Sequence, residues 1–326
     1  MDNFNRNGIA VAGSVLVDHI CEISAYPAAG ELTQIRAVSR AVGGCVPNVA
    51  VDLKRLSPAL PVYAIGLVGE DDDAAFVRET LKQSGVDVSG LQTARGRTSF
   101  TDVMSVKNGQ RTFFTYAGVC ADFGAENIDF EKIPVEMLHL GYFLLLDRVD
   151  AGDGTEILKK ASALGIKTSI DLVSENSDRY TFVLPALPYV DNLIINELEA
   201  GKLCGVEPTM HNLRRICEDL MSRGVRERVI LHMPECGVCL SERGFCVCPS
   251  FEPPQGFIKG KTGAGDAFCA GALLGIAQGL EDAEILELGS AAAMVSLSAP
   301  DATSGMCGAG EALSLCRGMG SAKIEL

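Results

Sequence analysis

The sequence predicts an α/β fold in three layers. A mostly parallel central sheet is covered by helices on both faces, and a small β appendage lies outside it. Three observations predict this. From about residue 135 onward, apolar strand-like runs alternate with helical stretches, the pattern that crossover connections impose on a parallel sheet. Residues 8–17 are nearly all apolar, as a strand buried on both faces must be. Residues 98–116 alternate instead, are rich in Thr, Phe and Val, and turn at Asn108-Gly109, a strong hairpin signal.

Taken in order, residues 8–17 form the first strand. Residues 43–57 open with glycines and become helical, with Val46, Val49, Ala50, Leu53 and Leu56 at helix spacing. A strand follows at 62–68, an acidic loop at 69–73 and a helix at 74–84 that Gly85 ends. The hairpin at 98–116 interrupts this rhythm and forms a small sheet outside the main layer. Then come a strand at 137–146, a helix at 154–164, a strand at 167–172 and a second helical stretch. A strand at 192–195 leads to a helix at 197–203; a helix at 210–222 leads to a strand at 228–232. A hairpin over 238–248 turns at 241–244, and helices occupy 267–278 and 282–298. No repeat, linker or break in composition divides the chain, so residues 1–326 read as one domain with a β appendage.

Length and composition bound what this domain does. The chain has 326 residues, 47% of them hydrophobic, enough for a substantial core. The net charge of −14 repels phosphate backbones and argues against a nucleic-acid partner. The first twenty residues lack a basic leader and a long apolar run, so they read as neither signal peptide nor membrane span. A cytoplasmic protein without a membrane partner is expected. The twelve cysteines then act as thiols, mostly small hydrophobes inside apolar runs. Cys236, Cys239, Cys246 and Cys248 offer CxxC and CxC spacing, but a second CxxC is missing, so core packing along a hairpin is preferred to zinc.

Two segments carry chemistry. In Thr262-Gly263-Ala264-Gly265-Asp266, small residues precede a helix whose free amides attract anions. Asp266 is either an N-cap carboxylate for those amides or a base beside an anion hole, receiving a proton as a hydroxyl attacks phosphorus. A dinucleotide fingerprint fails because Phe268 stands where its third glycine belongs, and Gly260-Lys261-Thr262 is one residue out of register for a Walker A loop. In Gly43-Gly44-Cys45-Val46-Pro47-Asn48, paired glycines allow a ligand close approach and Asn48 offers donors and an acceptor. A plain turn into a helix accounts for the same residues.

Together these segments resemble the signatures of the ribokinase-like (PfkB) family of carbohydrate and nucleoside kinases, over nearly the whole chain. The resemblance implies a ribokinase-like fold with a β lid formed from about 18–38 and 98–116. In it, Gly43, Gly44 and Asn48 look like substrate contacts, Gly263, Ala264 and Gly265 like the anion hole, and Asp266 like the catalytic base. Asp18 sits where the family places a carboxylate on the sugar. Asn196 and Glu199 look like the Asn-x-x-Glu element that positions Mg²⁺ and phosphates, Glu199 through water, and Asp171 fits a further polar position near them. ATP as co-substrate, a sugar or nucleoside acceptor, and a homodimer paired through the lid are implied with it.

The pattern is broken in two places. Gly260 and Lys261 stand where the family usually has Asp followed by Thr or Pro. Lys261 is then either a fixed charge near the nucleotide's phosphates or an exposed loop lysine. His232-Met233-Pro234-Glu235-Cys236-Gly237 replaces a Thr-Leu-Gly loop near the nucleotide, with Gly237 as its remaining match. Within the fold, a nucleoside kinase is the alternative, for which Phe113, Phe114, Tyr116 and Tyr142 offer a flat surface. A sugar-binding sensor without catalysis is the alternative from another class.

Overall fold

The computed structural model describes residues 6–106, 110–174 and 178–324. The apolar run at the start divides where one strand was expected. Ile9–Gly13 (β1) enters the main sheet, and Leu16–Ile23 (β2) leaves it for a second sheet. Its burial falls accordingly, from wholly buried in β1 to half-buried along most of β2. Asp18 is therefore a lid-strand residue rather than a loop residue after the first strand.

Among the described residues the lid has four strands. Ile35–Gly43 (β3) pairs with β2, which pairs in parallel with Ser99–Ser105 (β6), which pairs with Arg111–Tyr116 (β7). The lid thus runs to Gly43, beyond the expected boundary at 38. The expected Asn108-Gly109 turn lies outside the described residues.

Besides β1, the main sheet takes Val62–Val68 (β4), Asp87–Thr93 (β5), Met137–Phe143 (β8), Lys167–Leu172 (β9), Asn192–Asn196 (β10), Arg228–His232 (β11), Cys236–Ser241 (β12) and Gly244–Pro249 (β13), while Phe251–Glu252 (β14) pairs with Gly320–Ser321 (β15) apart from it. Their order is β13-β12-β11-β10-β9-β8-β1-β4-β5, parallel from β11 to β5 and antiparallel at the β12–β13 hairpin. Strand β5 was not expected; only Leu91 is buried, so its sequence lacks an apolar run.

Helices Cys45–Leu56 (α1), Ala264–Ala277 (α6) and Asp282–Ser296 (α7) pack on one another and over β1, β4 and β12. Gly154–Ala163 (α3), Glu197–Cys204 (α4) and Leu213–Ser222 (α5) pack along β8 to β12 as a second layer. Asp72 and Asp73 of the expected acidic loop at 69–73 belong to helix Asp72–Gln83 (α2), because Asp71 caps it by accepting from the Ala74 amide. The second helical stretch after β9 is a run of 3-10 turns, Arg179–Tyr189, since Pro185 and Pro188 deny an α-helix its donors. Helix Ala309–Arg317 (α8) closes the fold. No helix among the described residues is long and apolar enough to cross a membrane.

Candidate active site

The site is assembled where strands of the parallel sheet end and α6 begins. Gly263 is the N-cap of α6, with φ 77°, and a Cβ there would lie 2.4 Å from Ala302 Cβ and 2.7 Å from its Cα. Only glycine permits that turn. Because the helix begins at Ala264, Asp266 lies within its first turn and does not cap it. The capping reading of Asp266 is thereby set aside.

The buried Asp266 carboxylate is held from two other elements. Asn48 Nδ2, on α1, donates to Oδ2 at 2.8 Å, and the Tyr142 hydroxyl donates to the same oxygen at 3.0 Å. Tyr142 reaches it through an irregular strand end. The β8–β9 register shifts between Leu140 and Phe143, and Tyr142 has φ 61°, a left-handed conformation that tyrosine rarely adopts. Its amide donates to Asp171 Oδ1 at 2.6 Å, which fixes the turn. Asp171, on β9, also approaches His139 Nε2 at 3.4 Å.

The electrostatics follow from burial. Asp266 is pushed up to about 7, first by desolvation and then by the Asp171 charge, against the pull of Asn48 and Tyr142. Asp18 rises to about 6 by burial, offset by His19 and Arg111. Glu199 rises to about 7 for the same first reason, although Ser174 and the Asn196 amide hold it down. His232 is lowered to about 4 by burial, so it adds no charge near neutral pH.

Three cavities lie around these elements, and the first two share walls. One of about 200 Å³ is bounded by Asp171, Asn196, Glu199, Lys261, Asp266 and the Gly263–Gly265 turn. A second, about 440 Å³, shares Asn196, His232, Lys261 and Gly265 with it and continues between apolar walls that include Ile258, Phe268 and Leu297. A third, about 30 Å³, lies under the lid between Asp18, Val103, Arg111, Phe113, Thr262 and Asp301. Gly43 passes close to it, since a Cβ would sit 2.9 Å from both Asp18 carboxylate oxygens.

Most expected residues therefore converge. Gly44 is the N-cap of α1, with φ 85°. Asn196 caps α4 in a reciprocal box with Glu199, and Glu199 is buried rather than on an exposed helix face. Lys261 lines the first two cavities. Gly237 does not join them: it lies within β12, opposite His232, against Phe268 and Leu286. The four aromatics do not make one surface. Phe113 lines the lid cavity, Tyr142 serves Asp266, and Tyr116 packs on Phe100, which stacks on His19, on the other lid face.

Sequence reasoning missed the hydroxyl bond of Tyr142, because it depends on a strained strand end with no sequence signal. It also missed Arg111. The signal was available: in an alternating hairpin, residues 111 and 113 share a face. Asp52 on α1 was missed as well; it is fully buried and neither carboxylate oxygen has a hydrogen-bond partner. The buried Cys45, His139 and Asp171 place one ligand-type atom each within 4.8 Å of the others.

Residues 6–307 match the sequence pattern of the pfkB family carbohydrate kinases. An ATP-dependent ribose-1-phosphate kinase of Halopiger xanaduensis is 28% identical, over 80% of this chain and 81% of that protein. A fructokinase of Klebsiella pneumoniae is 30% identical, over 72% and 76%. The solved structure of Arabidopsis thaliana ribokinase complexed with ribose and ATP superposes with a TM-score of 0.79 at 20% identity, covering 96% of this chain and 99% of that one.

Proposed function

The chain belongs to the pfkB family of carbohydrate kinases and is a phosphotransferase with an alcohol acceptor; on that footing we propose that it transfers the γ-phosphoryl group of ATP to a hydroxyl of a small sugar, with the whole chain acting as one lidded kinase domain. The observation that carries the reading is the Asp266 carboxylate. It is buried, pushed up to about 7, and held on one oxygen beside a glycine turn, on a cavity that Asn196, Glu199 and Lys261 also line.

Each residue then has a task. Asn48 and Tyr142 both donate to Oδ2 of Asp266, which leaves Oδ1 to receive the acceptor proton. A carboxylate near 7 holds that proton long enough to help and releases it afterwards. The amides of Gly263, Ala264 and Gly265, at the N-terminus of the fourteen-residue α6, face charge that gathers on the transferring oxygens. Lys261 adds a fixed charge on the same side. Asp18, beside Gly43, accepts from an acceptor hydroxyl under the lid. The adenine ring takes the apolar 440 Å³ cavity, with Met233 and Pro234 on its wall.

The donor set on the nucleotide side fits Mg²⁺. Asp171 and Glu199 are buried carboxylates on one cavity, and the Asp171 charge adds to burial in holding Glu199 up, as expected where a cation belongs. Glu199, through water, and Asn196 would hold the ion, which supplies neutralisation of the phosphate charge. Ile35, Val38 and Phe114, exposed on the lid, would pair two copies.

The test is a coupled ADP-release assay with Mg-ATP across pentoses, hexoses, sugar acids, sugar phosphates and nucleosides, with Asp266→Asn beside it. An acceptor-dependent signal that falls on the order of 10²- to 10⁴-fold in the variant is expected. An Asp266→Asn protein that turns over normally would end the base assignment.

A further inference from the structure

We infer that Arg111 reads an anionic group on the acceptor, so that the substrate is a sugar acid or a sugar phosphate rather than a neutral sugar. The inference rests on the kinase reading above and narrows it.

Register places Arg111 on the active-site face of the lid. Asp18 pairs with Thr101, which pairs with Thr115; Ile20 pairs with Val103, which pairs with Phe113; one ladder further, Glu22 pairs with Ser105, which pairs with Arg111. Because side chains alternate, Asp18, Val103, Arg111 and Phe113 look the same way, and all four line the lid cavity. Arg111 is the one cation on that cavity among the described residues. Its guanidinium spans the gap from lid to floor, where Nη1 donates to Thr262 Oγ1 at 2.5 Å and Nη2 reaches the Pro300 carbonyl at 3.4 Å.

No carboxylate lies within ion-pair distance of Arg111 among the described residues. Asp18 feels its charge without touching it. Asp301, on the same cavity, is satisfied otherwise: its Oδ1 accepts from the amides of Thr303 and Ser304 at 3.0 and 2.7 Å. The guanidinium is thus a forked donor with two neutral oxygen partners, facing a space that already holds an acceptor carboxylate in Asp18. A ligand with hydroxyls at one end and a carboxylate or phosphate at the other satisfies both, since the fork matches either anion bidentately. Arg111 does not line the cavity bounded by Asp266 and the glycine turn, and Lys261 already supplies a cation there. This assigns Arg111 to the acceptor rather than to the transferring phosphoryl group.

The test uses the full-length protein and acceptors in matched pairs: aldonates and aldose phosphates of three to six carbons, each beside its neutral counterpart. ADP release gives kcat and KM; calorimetric titration of the same acceptors without nucleotide gives affinity. Wild type should favour one anionic series. Arg111→Met should raise KM for that series about 10- to 100-fold, the loss expected for a charge-assisted bond, with kcat far less affected, and Arg111→Lys should recover part of it. Preference for aldonates identifies a carboxylate, and preference for aldose phosphates a phosphate. Anion binding that depends on Arg111 without ADP release would uphold the inference and remove the kinase reading. ADP release with neutral sugars preferred would do the reverse. A kcat loss in Arg111→Met equal for charged and neutral acceptors would place the side chain on the phosphoryl group and overturn the inference, as would calorimetry showing no Arg111-dependent affinity.

Discussion

The state of Asp266 sets how turnover depends on pH, and the size of the effect follows from the site. A base must be ionised to accept a proton. With Asp266 near 7, about one-tenth of the protein is competent at pH 6 and about nine-tenths at pH 8, a rise of roughly 10-fold in kcat/KM. Asp18, near 6, must also be ionised to accept from the acceptor. It is about half ionised at pH 6 and almost fully at pH 8, so the combined rise is roughly 20-fold. An ordinary carboxylate, near 3.8, would give a flat profile over this range. The assay is kcat/KM for the acceptor between pH 5.5 and 8.5, with nucleotide saturating as its magnesium complex, because this ratio reports the free enzyme. Two variants check the cause. Removing the Tyr142 donor in Tyr142→Phe should move the acid limb to higher pH, since that bond lowers Asp266. Removing the neighbouring charge in Asp171→Asn should move it lower. A profile flat from pH 6 to 8, or limbs that move the wrong way, would refute the assignment of base and cause together.

Further outcomes follow from the same surroundings. Gly263→Ala places a Cβ against Ala302 at a φ of 77°, so it should lose about 1–3 kcal/mol of stability and most turnover; a thermal melt unchanged from wild type would contradict the tight turn. Asp52 is held far above its ordinary value by burial and by the charges of Asp266 and Asp301, against Arg55. A carboxyl raised by folding supports the fold below about pH 4 and loses that support as pH rises. Asp52→Ala should therefore raise Tm by a few degrees at pH 7.5 and much less at pH 4.5; a Tm lowered equally at both would show that the carboxyl is bonded after all.

Much of the fold was legible because its central strands are buried on both faces and therefore read as apolar runs, and helices such as α1 and α5 carry clear periodicity. The places where reading failed share a cause. The run at 8–17 is nearly all apolar, and the sheet switch after Gly13 is a tertiary event that its composition barely marks. Strand β5 sits at an edge with one buried side chain, so it carries no apolar signal. The prolines at 185 and 188 were a signal passed over. At the site, the glycine turn and Asp266 were readable because backbone freedom and an acid at a helix start are local facts. The identity of what Asp266 touches was not. Asn48 is 218 residues away and Tyr142 is 124 residues away in sequence, and only the strand order brings them together.

That strand order also explains why one carboxylate needs another. Tyr142, Asp171, Asn196 and His232 stand at or near the carboxyl ends of β8, β9, β10 and β11, four neighbouring parallel strands, where open α/β sheets place their ligands. Tyr142 can reach Asp266 only by leaving the strand through a left-handed turn, which costs on the order of 1–3 kcal/mol. The short bond from its amide to Asp171 stabilises that turn. Asp171 must lie close to do so, and its charge is then the second cause, after burial, that lifts Asp266 towards neutrality. Positioning the hydroxyl donor and tuning the base thus fall to one side chain, and Asp171→Asn, which keeps an Oδ1 acceptor for the Tyr142 amide while removing the charge, separates the two.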